Sequence, residues 1–146
     1  MKIYVINGPN LNMLGTREPE VYGKVTLRNI IDELQEIASQ CGAEVVPFQS
    51  NAEGEIIDML HNAYHEKVPY VLLNAGAFSH YSYAVADAIE AIKSTTKTIE
   101  VHISNIYARD EEFRHHSVLS RVCSGVICGF GKEGYVMALR YVLGEK

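Results

Sequence analysis

The sequence predicts an α/β protein with a three-layer, flavodoxin-like fold, in which a five-stranded parallel sheet of order 2-1-3-4-5 carries helices on both faces. Short β-branched runs alternate with segments whose apolar residues recur at helical spacing, the pattern of strand–helix–strand units. The run at residues 70–73 is continuously apolar, as strands buried on both faces are. A chain of 146 residues has room for five such strands in one domain.

The first half of the chain predicts two strands, each followed by a helix. Thr26 can cap the first helix, and Gly42 can end it. Pro47 predicts that the second strand lies at an edge of the sheet, because proline lacks the amide hydrogen that a central strand donates. These elements cover residues 3–6, 27–41, 44–48 and 56–64.

The second half predicts three more strands and two helices, over residues 70–73, 85–92, 98–102, 125–128 and 135–143. Residues 8–24 fit neither pattern, since they contain two prolines, three glycines and no periodicity. Loops of this length are uncommon unless they are functional, so we interpret the segment as an active-site lid. Residues 1–146 are expected to form a single catalytic domain.

Composition excludes several classes of protein. The net charge is −5 and there is no run of basic residues, which argues against a nucleic-acid interface or a membrane-surface patch. No apolar stretch approaches the roughly 18 residues of a membrane span or the roughly 7 of a signal peptide, so we expect a cytoplasmic location. The three cysteines, Cys41, Cys123 and Cys128, lack C-x-x-C spacing and are expected to be small core residues in a reducing compartment.

Polar side chains follow four of the predicted strands, at the edge of an open α/β sheet where ligands bind. Turn chemistry explains many of the amides and hydroxyls, but it does not explain His80 and His102. The other members of this rim are Asn7, Asn10, Asn12, Gln49, Ser50, Asn51, Asn74, Ser79, Ser104 and Asn105.

Two pairs of residues are candidates for acid–base chemistry. Glu100 and His102 share one face of a strand, where a carboxylate orients an imidazole and favours its protonated form; a structural ion pair is the alternative. Arg17 and Tyr22 lie in the lid segment, where a guanidinium would lower the pKa of a phenol from about 10; a packing tyrosine is the alternative.

Two familiar motifs do not carry their usual function here. Residues 129–134 match G-x-G-x-x-G, but the chain ends before the acidic residue that a dinucleotide site needs about 20 positions later. His61 and His65 have the spacing of a metal pair, but Asn62 replaces the glutamate of H-E-x-x-H, so we expect solvated histidines and no metal site.

Taken together, the polar segments resemble the signature motifs of the type II 3-dehydroquinate dehydratases, in order and over essentially the whole chain. The matching segments are Asn-Gly-Pro-Asn-Leu-Asn at 7–12, Gly-Thr-Arg-Glu-Pro at 15–19, Tyr-Gly at 22–23, Gln-Ser-Asn at 49–51, Glu-Gly at 53–54, Asn-Ala-Gly-Ala at 74–77, Ser-His at 79–80, Asp-Ala at 87–88, Glu-Val-His-Ile-Ser-Asn at 100–105, Phe-Arg-His-His-Ser at 113–117, Gly-Phe-Gly at 129–131 and Gly-Tyr at 134–135.

The resemblance implies a lyase that needs no metal or cofactor. It would eliminate water in the anti sense from 3-dehydroquinate through an enolate, giving 3-dehydroshikimate. The reaction would serve the shikimate pathway to aromatic amino acids or the breakdown of quinate. The resemblance also implies a homododecamer built as a tetramer of trimers.

Residue roles follow from the same resemblance. Tyr22 would be the base, Arg17 would activate it and close with the lid, and Asn12 would hold a water against the enolate oxygen. His102, beside Glu100, would protonate the departing hydroxyl. The substrate contacts would be Asn74, the backbone amides of Ile103 and Ser104, the side chains of His80 and Arg114, and Asp87 from a neighbouring subunit.

One spacing departs from the family pattern. Arg109 and Arg114 are five residues apart, where the family usually has four. Arg114 keeps its register with the motif that follows, so we assign the substrate contact to Arg114. We expect a surface loop or a loose first helical turn at residues 110–112 to absorb the extra residue.

Three other functional classes were compatible with the fold class. A flavin or nucleotide protein would need a phosphate cradle in the first loop, and a receiver-like signalling module would need acidic residues where Asn7 and Asn74 stand. A type I-style dehydratase would need a Schiff-base lysine, and no lysine lies in a rim motif.

Overall fold

The computed structural model describes residues 1–16, 20 and 24–144. Five parallel strands form one sheet in the order β2-β1-β3-β4-β5, which confirms the predicted order and the edge position of the strand that contains Pro47. The strands are β1 (Lys2–Asn7), β2 (Glu44–Gln49), β3 (Tyr70–Asn74), β4 (Lys97–His102) and β5 (Gly125–Cys128).

In the part of the chain that the structure describes, α-helices pack on this sheet at α1 (Leu27–Gln40), α2 (Glu53–His65), α3 (Tyr83–Ile92) and α4 (Glu133–Val142). The start of α1 is a capping box, in which Thr26 Oγ1 accepts from the Asn29 amide at 3.1 Å and Asn29 Oδ1 accepts from the Thr26 amide at 3.1 Å. Its end turns at Gly42, whose φ of 70° is a conformation that glycine adopts without strain. Both predicted helix boundaries are thereby confirmed.

Alternation along β1 separates the two cores. Ile3 and Val5 pack into one apolar cluster with α1 and α4, whereas Tyr4 and Ile6 pack into a second cluster with α2 and α3. Helices therefore cover both faces of the sheet, as predicted. No helix in the described ranges has the length and apolar composition needed to cross a membrane.

Two strands end one residue later than predicted, and in each case the added residue is an asparagine of the predicted polar rim. Strands β1 and β3 each extend one residue further than predicted, to Asn7 and Asn74, which are directly paired in the parallel register. These two amides are therefore strand residues with defined side-chain directions, and both are buried. Propensity does not predict this, because asparagine is disfavoured in strands and the interactions that hold it there are tertiary.

The expected core position of the cysteines was wrong for Cys41, which is exposed, while Cys123 and Cys128 are partly buried. Cys41 is the C-cap of α1, where the chain turns towards Gly42. It therefore lies beyond the regular apolar face of the helix, although its spacing from Ile37 suggested otherwise.

Candidate active site

A cleft of about 170 Å³ opens at the carboxyl ends of β3 and β4, the edge at which ligands bind in this class of sheet. Six residues that the sequence assigned to substrate or acid chemistry line it: Asn74, His80, His102, Ile103, Ser104 and Arg114. The rest of the lining was not predicted to bind substrate, and consists of Asn10, Leu11, Gly76, Ala77, Ile106 and Arg109.

The imidazole of His102 is hydrogen-bonded to a buried carboxylate. His102 Nε2 hydrogen-bonds Oε2 of Glu100, and both side chains are buried, with Glu100 fully inaccessible. Within the described part of the chain, Nδ1 of His102 has no protein partner, and His102 lines the cleft. The predicted pair is therefore formed, with one ring nitrogen bound to the carboxylate and the other left for a ligand.

Glu100 is kept ionised in spite of its burial. Burial by itself raises the pKa of this carboxyl, but the hydrogen bond and positive charge of His102 and the hydroxyls of Ser120 and Ser117 together hold the pKa below its ordinary value. Ser117 Oγ donates to Oε2 at 2.7 Å, and Ser120 Oγ donates to Oε1 at 2.7 Å. A buried carboxylate with every oxygen hydrogen-bonded is an effective partner for an imidazolium.

His80 has a defined tautomer. Its Nδ1 lies 2.7 Å from the carbonyl oxygen of His116, which can only accept, so Nδ1 carries a hydrogen. Burial lowers the pKa of His80, and the nearby positive charges of His102 and Arg114 lower it further against the opposing effect of the carbonyl contact. The neutral ring leaves Nε2 as an acceptor beside the cleft, which suits a ligand hydroxyl.

Two arginines reach the cleft from a short exposed loop. Residues 110 and 111 form bends, and a 3₁₀ helix follows at Glu112–His115, which confirms the predicted loop at residues 110–112. Arg114 lies against the ring of Phe113, with its guanidinium carbon 4.9 Å from the centroid, and its Nε donates to Glu111 Oε1 at 2.9 Å. Arg109 also lines the cleft, and its Nη1 lies 3.4 Å from Ser104 Oγ.

A buried amide–phenol network supports the floor of the cleft. Asn74 Nδ2 donates to the hydroxyl of Tyr135 at 2.9 Å, and that hydroxyl donates to Asn7 Oδ1 at 2.6 Å. Asn74 Oδ1 accepts from the Gly76 amide at 3.2 Å. Burial raises the pKa of Tyr135 far above its ordinary value, so the phenol stays protonated and acts as a structural donor.

Several predicted site residues do not line the cleft. Asn12 is exposed beside it and accepts a 3.4 Å contact from Gln49 Nε2, while its neighbour Asn10 reaches the cleft instead. Asp87 is exposed on α3 and lies away from the cleft of its own subunit. Arg17 and Tyr22 fall outside the described residues.

Sequence reasoning missed Tyr135, Arg109 and the two serines as parts of this site. Tyr135 appeared only as the first residue of the last helix and in the Gly-Tyr motif, and Ser117 appeared only as one letter of a motif. The contacts of Tyr135 and the two serines join residues between 17 and 128 positions apart, so no local pattern reports them. Over residues 1–16, 20 and 24–144, no three His, Cys, Asp or Glu side chains come together to hold a metal ion.

The fold and the cleft define an α/β protein with a cleft at the strand ends, which is lined by two arginines and by the imidazole of a buried imidazole–carboxylate pair. The model of the family dehydroquinase class II matches residues 1–143. The chain belongs to this family, and that membership favours the type II interpretation over the flavin, receiver and Schiff-base alternatives.

The chain is similar to 3-dehydroquinate dehydratases over nearly their whole length. A 3-dehydroquinate dehydratase of Caldicellulosiruptor bescii is 54% identical over 144 residues, which cover 99% of this chain and 97% of that protein. One of Pelotomaculum thermopropionicum is 56% identical over 140 residues, covering 96% and 94%. The crystal structure of a type II dehydroquinase from Butyrivibrio crossotus superposes with a TM-score of 0.94 at 47% identity, covering 99% of this chain and 98% of that one.

Proposed function

We propose that this chain is a hydro-lyase that converts 3-dehydroquinate to 3-dehydroshikimate. The observation that carries the proposal is the buried His102–Glu100 pair facing a cationic cleft, in a chain that is 54% identical to a 3-dehydroquinate dehydratase. Loss of a hydroxyl requires a proton donor, and an imidazolium beside a carboxylate supplies one near neutral pH.

The elimination has two halves. A base removes the proton next to the ketone, which creates an enolate, and the enolate then expels the hydroxyl as His102 protonates it through the cleft-facing Nδ1. We assign the base to Tyr22 and its activation to Arg17, because a guanidinium lowers the pKa of a phenol. Asn12 would hold the water that stabilises the enolate oxygen. Neither a metal nor a cofactor takes part in this scheme.

Substrate orientation follows from the charges and donors of the cleft. The substrate carboxylate would bind the backbone amides of Ile103 and Ser104, which are in the lining at the end of β4. His80 offers Nε2 as an acceptor for a ring hydroxyl, and Arg114 offers a donor. Asn74, fixed by Tyr135, would position the substrate near the acid.

The wider setting is part of the proposal. The chain would act as a single catalytic domain in the cytoplasm, in the shikimate pathway or in quinate breakdown. Twelve copies would form a tetramer of trimers in which Asp87 enters a neighbouring site, and its exposure on α3 is compatible with that role.

The direct test is turnover of 3-dehydroquinate by the purified protein, in the presence of a chelator, followed by the ultraviolet absorbance of the conjugated enone product. The Tyr22→Phe variant should lose about 10²–10⁴-fold in kcat, the usual contribution of a general base. Tyr141→Phe is the matched control, because Tyr141 is 71% exposed on α4 and should retain full activity. Absence of turnover in the wild type would refute the function, and near-normal turnover in Tyr22→Phe would remove Tyr22 from it.

A further inference from the structure

Two serine hydroxyls donate hydrogen bonds to the Glu100 carboxylate, and neither serine has a role in the reaction described above. Ser120 donates to Oε1 at 2.7 Å, and Ser117 donates to Oε2 at 2.7 Å, the oxygen that also binds His102. The Ser117 hydroxyl accepts in turn from the Leu119 amide at 3.2 Å, which turns its own hydrogen towards the carboxylate. Both serines lie in the segment between the 3₁₀ helix of Arg114 and strand β5.

The hydrogen bonds to Glu100 affect the position of the proton that His102 and Glu100 share. His102 and Glu100 can share a proton as imidazolium and carboxylate, or as neutral imidazole and carboxylic acid. Burial favours the neutral arrangement, because a low-dielectric surrounding penalises both charges. Hydrogen bonds donated to the carboxylate favour the charged arrangement, and the two serine bonds are both of this kind.

Only the charged arrangement makes His102 an effective acid. The imidazolium can give its Nδ1 proton to the departing hydroxyl, which leaves as water while the C–O bond breaks. The neutral imidazole that remains keeps Nε2–H on Glu100. If the proton started on Glu100, the imidazole could release its Nδ1 hydrogen only by becoming an imidazolate or by first recovering the proton from Glu100.

We propose that Ser117 and Ser120 are positioning residues that keep the proton shared by His102 and Glu100 on the imidazole. The catalytic consequence rests on the proposed function, whereas the placement of the proton does not.

Other titratable groups around the pair do not substitute for the serines. His80 and Arg114 line the same cleft as His102, and neither forms a hydrogen bond with Glu100 among the described residues. Burial, together with the Glu100 charge, raises the pKa of Cys123 to about 12, so this thiol stays neutral. Among the described residues, the hydrogen bonds to Glu100 come from His102 and the two serines.

The test measures proton placement by the ¹⁵N chemical shifts of the His102 ring nitrogens followed over a pH titration, with His102→Gln used to assign the signals. The wild type should show an imidazolium. In Ser117→Ala or Ser120→Ala, the ratio of charged to neutral pair should fall roughly tenfold or more, from the loss of one hydrogen bond to a charged group. Ser117→Thr and Ser120→Thr keep the hydroxyl and should restore it, and the exposed Ser124→Ala is the control.

Turnover provides a second readout. In each alanine variant kcat should fall in proportion to the fraction of His102 that remains an imidazolium while KM changes little, because the acid is impaired and the binding groups remain. An unchanged imidazolium signal in both single alanine variants, or failure of folded threonine variants to restore it, would overturn the proposal. A wild type that shows the imidazolium but no turnover would instead refute the proposed function.

Discussion

At the scale of the residue, the charge of the cleft comes from two arginines with unequal surroundings. Arg114 is stacked on Phe113 and anchored by Glu111, and its side chain is 22% exposed. Arg109 contacts Ser104, and its carbonyl oxygen accepts from His115 Nε2 at 2.5 Å. Residues 110 and 111 form bends before the 3₁₀ helix, and Arg114 lines the cleft, as the proposed assignment of the substrate contact requires.

We expect Arg114→Ala to raise KM for 3-dehydroquinate with a smaller effect on kcat. Loss of a charge-assisted hydrogen bond costs roughly 1.5–3 kcal/mol, which corresponds to a rise of about 10- to 150-fold. Initial rates at varied substrate concentration measure it. Asp110→Ala is the control within the same exposed loop and should leave KM unchanged. If Arg109→Ala raised KM while Arg114→Ala did not, the two assignments would be exchanged.

At the scale of the element, Tyr135 joins the last helix to the two central strands. The hydroxyl bridges Asn7 at the end of β1 and Asn74 at the end of β3, and its ring is fully buried in the core with α1. Asn7 Nδ2 is buried without a partner in the described part of the chain, so the side chain of Asn7 is held there through the hydrogen bond that its Oδ1 accepts from the phenol. The side-chain positions of Asn7 and Asn74 therefore depend on how α4 packs against the sheet.

Tyr135→Phe keeps the ring and removes the bridge, so it should lower the free energy of unfolding by about 1–3 kcal/mol, the cost of leaving buried polar groups unpaired. Denaturant unfolding followed by circular dichroism measures this. Tyr141→Phe removes a hydroxyl from an exposed tyrosine of the same helix and should change stability by less than about 0.5 kcal/mol. Equal stability of the two variants would show that the bridge contributes nothing.

Helix α4 and the residues around it show which features of this protein could be predicted from the sequence and which could not. Apolar periodicity predicted α4 and the five strands, because burial of a helix face or a strand leaves a regular pattern. The strand order came from the flavodoxin-like fold class that the alternation of strands and helices indicated. Glu100 and His102 were paired correctly because they are neighbours on one strand face. Tyr135, Ser117 and Ser120 meet their partners only through the tertiary fold, so their periodicity or motif position did not reveal these roles.

At the scale of the whole molecule, Asp87 is the residue that would link the site to the proposed assembly. It is exposed on α3, opposite the stripe of Val85, Ile89 and Ile92 that packs into the core. A carboxylate in this position cannot serve the cleft of its own subunit, which it does not line. In the proposed trimer it would complete the site of a neighbour.

Mixing two inactive variants tests this arrangement. We expect Asp87→Ala and His102→Ala each to be impaired as homo-oligomers, and reassembly of an equal mixture to recover part of the activity. A site with wild-type His102 can then receive Asp87 from its neighbour. Sedimentation velocity verifies that the mixed species are oligomers. No recovery in mixed oligomers, or an active monomer, would contradict the shared site.

The central claim is that His102, held by Glu100, is the acid that releases the hydroxyl after a separate base has formed the enolate. The most direct measurement is nuclear magnetic resonance of 3-dehydroquinate in deuterated water with His102→Ala. In this variant we expect deuterium still to enter the position next to the ketone. Formation of the enone should fall by about 10²–10⁴-fold, the usual contribution of a general acid. Equal loss of deuterium exchange and enone formation would contradict it.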